Sequence, residues 1–99
     1  MAIVEFTLPE RCKINDEGVK NVASKIAAII YRGEKLDDSP PEKKDNGSWH
    51  ICPQANDWWL IPPRTSSFLG RPLSPWALQG RYASPVETEA IVAQLFLVV

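Results

Sequence analysis

Between Ala2 and Leu8 the chain alternates, with Val4, Phe6 and Leu8 facing one way and Ile3, Glu5 and Thr7 the other. That two-residue period predicts a half-buried strand, ended by Pro9. The period then lengthens. Val19, Val22, Ala23, Ile26, Ile29 and Ile30 recur at intervals of three and four, which draws one apolar stripe along a helix. Asp16 is the expected N-terminal cap and Gly33 the expected C-terminal one, while Lys20, Ser24 and Lys25 fall on the polar side.

Residues 34–47 (EKLDDSPPEKKDNG) hold mixed charge, Pro40-Pro41 and Asn46-Gly47, and offer almost nothing to bury. A mobile polar loop is expected there. Ser48–Cys52 and Asp57–Ile61 then read as two short strands joined by Pro53, Gln54, Ala55 and Asn56, a length that suits a β-hairpin. In the simplest register Cys52 opposes Asp57, Ile51 opposes Trp58, His50 opposes Trp59 and Trp49 opposes Leu60. Directly opposed residues share a face. Trp49, Ile51, Trp58 and Leu60 then make an apolar face suited to the first helix, and His50, Cys52, Asp57, Trp59 and Ile61 make a mixed one.

From Arg64 to Ala83 neither period dominates, and Gly70, Pro72, Pro75 and Gly80 read as turn signals. Because Phe68, Leu69, Leu73, Trp76, Leu78 and Tyr82 are too apolar for a solvated linker, an ordered irregular loop is expected over 62–83. Ser84-Pro85-Val86-Glu87 is a capping box with proline at the first helical position. The helix it opens is apolar nearly all round from Ala90 to Val99, although its last five residues, LFLVV, also suit a strand. The expected fold is therefore α+β, a single domain over 1–99. A small antiparallel sheet, made of the N-terminal strand and the central hairpin, packs against two helices, with the long irregular loop before the second.

Composition adjusts this picture only at a few points. At 99 residues with 44% hydrophobic and 23% charged side chains, the chain is an ordinary small globular domain. No apolar run is long enough for a membrane span and the N-terminus lacks the basic flank and apolar core of a signal peptide, so a cytoplasmic setting is expected, with Cys12 and Cys52 reduced. The net charge of -1 does not mark a nucleic-acid binder. Its distribution is uneven, however, since Arg64, Arg71 and Arg81 have no acid among them between residues 58 and 82.

Candidate chemistry is sparse. No phosphate-binding glycine loop, HExxH or GxSxG pattern occurs, and no cofactor is expected. His50, Cys52 and Asp57 are metal-ligand types on one face, yet the paired Cys/His spacing of zinc sites is missing, so neither a metal site nor catalytic residues are assigned. A thiol or metal-dependent enzyme using Cys52 and His50 is a third alternative. The stronger lead is the mixture of arginine and large aromatics, side chains enriched at interface hot spots. On it rests the expectation of a non-enzymatic module that binds a protein partner, or a second copy, through Trp59, Arg64, Phe68, Arg71, Trp76 and Arg81, with the apolar C-terminal helix as a further surface. Single-stranded nucleic acid, stacked on the same aromatics, is the alternative partner. The same tryptophans can also serve simply as core.

Overall fold

In the computed structural model, residues 2–12, 14–31, 40–52, 57–64 and 74–98 are described. Strand β1 (Ala2–Phe6) leads to helix α1 (Asp16–Ile30), then to β2 (Glu42–Lys43), β3 (Trp49–Ile51), β4 (Trp58–Ile61), β5 (Trp76–Gly80) and helix α2 (Pro85–Val98). The five strands form one antiparallel sheet in the order β1-β5-β4-β3-β2. Strands β2 to β5 thus run as a meander, and β1 returns to close its far side. The α+β arrangement of an antiparallel sheet and two helices is the one expected, with two strands more than the alternation pattern revealed.

Both additional strands lie where irregular chain was expected. Trp76–Gly80 is not loop but the strand between β1 and β4. Its two neighbours bury Ala77 as well as Trp76, Leu78 and Gly80, so the strand carries no clean two-residue alternation. Gly80 is not a turn residue either. It stands opposite Trp58, and a Cβ there would come within 2.8 Å of the Trp58 ring and of Ala83 Cβ, so the bare backbone makes room for the indole. At the other edge, Glu42–Lys43 pairs with His50 and Trp49 within the stretch expected to be polar loop. A turn at Gly47, φ +85, joins β2 to β3, with the Asn46 side chain accepting from Ser48 N at 3.0 Å.

The helices begin where the sequence places polar caps. Asn15, one residue before the expected Asp16, caps α1 by accepting from Gly18 N at 2.7 Å. Asp16 instead pairs with Lys43 at 2.7 Å, tying the helix start to the sheet edge. The helix ends at Tyr31, whose N–H donates to Ala27 O; Gly33 lies outside the described residues. Ser84 Oγ accepts from Glu87 N, as the capping box requires, and α2 remains helical through Val98, within the segment that also suited a strand.

One buried cluster unites the inner side of α1 (Val19, Val22, Ala23, Ile26), the inner side of α2 (Ile91, Val92, Leu95) and one face of the sheet (Phe6, Trp76, Leu78, Trp58, Leu60, Trp49, Ile51). Both helices therefore cover the same sheet face. Each large side chain taken out of water here contributes roughly 1.5–3 kcal/mol before entropy is counted. Among the described residues no helix is long and apolar enough to cross a membrane.

Candidate functional site

The hairpin register is the simplest one expected from the sequence, with Trp49 opposite Leu60, His50 opposite Trp59 and Ile51 opposite Trp58. Because side chains alternate across a strand, burying Trp49, Ile51, Trp58 and Leu60 sends His50, Trp59 and Ile61 to the face without helices. One step past the register, Cys52 and Asp57 continue that face. The next strand adds Gln79, opposite Trp59, and Arg81 follows it.

These side chains converge. Cys52 Sγ lies 2.9 Å from His50 Nε2 and 3.3 Å from Nδ1, and 3.9 Å from Asp57 Oδ1. His50 Nε2 is 3.7 Å from the same carboxylate oxygen. The other oxygen, Oδ2, takes an ion pair from Arg81 Nη1 at 3.0 Å, and the Arg81 backbone N–H donates to Asp57 O at 2.8 Å. The imidazole stacks on Trp59 with ring centroids 4.0 Å apart and planes 7° from parallel. From behind the sheet, the Tyr31 hydroxyl donates to the Cys52 carbonyl at 2.6 Å. All three of His50, Cys52 and Asp57 are half-buried, reachable from solvent but not freely mobile in it.

Chemically, the thiol is a weak donor to whichever ring nitrogen is unprotonated, and the His50–Asp57 contact becomes an ion pair only with a charged imidazole. A nucleophile, base and acid relay needs the acid on the ring nitrogen that faces away from the nucleophile. Here Sγ lies within 3.3 Å of both ring nitrogens and Oδ1 approaches Nε2, so neither nitrogen faces away from the thiol and the three groups cluster without forming a relay. Beside them, Asn46, Ser48, Trp59, Ile61, Gln79 and Arg81 line an open groove of about 400 Å³.

The expected partner-binding residues separate. Trp59 and Arg81 meet in this groove, although Trp59 lies under the His50 ring and Arg81 is half committed to Asp57. That ion pair reduces the local positive excess read from residues 58–82. Arg64 is exposed where a described segment ends. Trp76 is buried at 9% exposure in β5, opposite Phe6, where it serves the core. Phe68 and Arg71 lie outside the described residues.

The sequence pattern does not point to Arg81 and Tyr31 as neighbours of the cluster, nor to Asn46 as lining of the groove. For Arg81 the available signal was Asp57, the sole acid between Ser48 and Tyr82. Cys12, the other cysteine, is free and packs partly against the core, and Cys52 forms no disulfide. Comparison with known proteins finds no matching family model, curated protein or solved structure.

Proposed function

We propose that the protein is a non-enzymatic interaction module that receives a protein segment on the helix-free face of its sheet. The observation that carries this reading is the groove with Trp59 and Ile61 as apolar lining and Arg81, Gln79 and Asn46 as polar lining. Concave apolar surface with a few directed polar groups is what recognition sites share. An extended segment with an apolar side chain next to an acidic one suits it. The apolar group covers Trp59 and Ile61, and the carboxylate takes the Arg81 donors that Asp57 leaves free. The outward side of α2, where Val86, Phe96 and Leu97 are exposed, is a second apolar surface on the opposite side of the sheet from the groove.

Selection from a displayed random-peptide library tests the reading. Peptides pairing an acid with a bulky apolar residue are expected, and titrating one should shift the Trp59 indole N–H resonance while leaving the buried Trp58 unmoved. Trp59→Ala should weaken the peptide about 30-fold, the loss expected of a 2 kcal/mol anchor. Failure to select any peptide, or peptides indifferent to Trp59→Ala in a folded variant, would count against the groove.

A further inference from the structure

We propose that His50, Cys52 and Asp57 form a binding site for a thiophilic divalent metal ion, Zn²⁺ being the best fit. The three offer one nitrogen, one sulfur and one oxygen, all within 4.8 Å of one another. A tetrahedral zinc ion, with bonds of about 2.0–2.3 Å, spaces such donors about 3.3–3.6 Å apart. The separations here are 2.9 Å (Sγ to Nε2), 3.7 Å (Nε2 to Oδ1) and 3.9 Å (Sγ to Oδ1). They fall on both sides of the required spacing, so seating one ion widens the Sγ–Nε2 gap by about 0.4–0.7 Å and narrows the two gaps to Oδ1 by up to about 0.6 Å.

Each donor is also held by a second contact, the feature that separates a built site from a chance meeting of polar groups. Arg81 holds Asp57 Oδ2, which turns Oδ1 toward the cluster and offsets one of the two negative charges that a thiolate and a carboxylate bring together. Trp59 fixes the plane of the His50 ring by stacking. Tyr31 anchors the Cys52 backbone from α1, and the Arg81 N–H anchors that of Asp57 from the end of β5. The strand register and two neighbouring elements thus gather three ligand atoms within 4.8 Å of one another.

The donor set also selects the ion. Thiolate and imidazole favour zinc and its neighbours over magnesium or calcium, which prefer all-oxygen shells. Three protein ligands leave a fourth position open to water or to a donor atom from a bound molecule. That position is on the helix-free face, next to the groove.

The test uses the full chain, stripped of metal by a chelator and then titrated with Zn²⁺ and, separately, Co²⁺. One Zn²⁺ per chain should bind, unaffected by millimolar Mg²⁺. Co²⁺ should give the near-ultraviolet thiolate-to-cobalt charge-transfer band, and should quench the tryptophan stacked on His50. Cys52→Ser should abolish the band, and both Cys52→Ser and His50→Ala should weaken Zn²⁺ at least tenfold, while Cys12→Ser retains both band and affinity. Circular dichroism establishes that each variant is folded. Absence of Zn²⁺ uptake by the folded wild-type chain overturns the proposal, as does stoichiometric uptake that survives both Cys52→Ser and His50→Ala.

Discussion

The two faces of the β3–β4 hairpin are built from interleaved residues of the same two short strands, and they do different work. On one face Trp49, Ile51, Trp58 and Leu60 are buried in the core cluster they share with residues of α1 and α2. On the other, His50, Cys52, Asp57 and Trp59 are only half-buried and make polar, ionic and stacking contacts with one another. Stability resides on the first face because burial scales with area and packing, and the closed core permits little adjustment. On the second, partial solvent access keeps the polar groups within reach of water and solutes.

The largest expected effect comes from opening the core face. Leu60→Ala removes a fully buried side chain at the centre of the sheet and should cost about 2–5 kcal/mol in urea unfolding, without changing Zn²⁺ affinity in the fraction that stays folded. A loss below about 1 kcal/mol would break the assignment of stability to that face. Overfilling the same face is next. In Gly80→Ala the new methyl meets Trp58 and Ala83 at 2.8 Å, and a loss of about 1–3 kcal/mol is expected; it should diminish in the double variant with Trp58→Leu, which clears the ring from that space.

On the open face the expected stability effects are smaller. Arg81→Ala removes an ion pair to a carboxylate from a side chain that is 55% exposed, and should cost under about 1 kcal/mol as read by urea unfolding. It should nevertheless weaken Zn²⁺ about 10- to 100-fold by releasing Asp57 from its orientation. Smallest of all is Lys43→Ala. Its bridge to Asp16 spans two exposed side chains, so the change should stay within about 0.5 kcal/mol and leave both peptide and metal binding intact.

The hairpin and its division into faces were legible in the sequence because Ser48–Cys52 alternates, Trp58–Ile61 is a short apolar run after a four-residue connection, and the simplest register of that connection is the one formed. Helices α1 and α2 were legible from periodicity and caps, with the α1 cap misplaced by one residue because Asn15 and Asp16 are both good capping side chains. Strand β5 was not. It is covered on both sides by neighbours, it carries a glycine that exists to admit Trp58, and its partner β1 lies at the far end of the chain. Strand β2 was hidden for the opposite reason, being two charged residues with no apolar pattern. Such a short charged strand also guards its edge against further pairing.

The candidate site divides in the same way. That His50, Cys52 and Asp57 share a face followed from register alone, but the approach of their ligand atoms to within 4.8 Å did not. The Arg81 contact depends on β5 lying next to β4, which no local pattern announces. Trp76 shows the converse limit. Its setting among proline and arginine suggested an anchor for a partner, whereas the long-range pairing with β1 makes it core.

Urea unfolding of the wild-type chain and of His50→Ala, each with and without saturating Zn²⁺, measures the separation of the two faces most directly. The metal-free variant should unfold within about 1 kcal/mol of the metal-free wild type, since it alters a partly exposed ring on the open face. Zn²⁺ should stabilise the wild type by about 3–4 kcal/mol at 100 to 1,000 times its dissociation constant, and the variant far less at the same concentration. If metal-free His50→Ala instead loses as much stability as Leu60→Ala, and Zn²⁺ leaves the wild-type midpoint unmoved, the open face is structural and the division between the two faces fails.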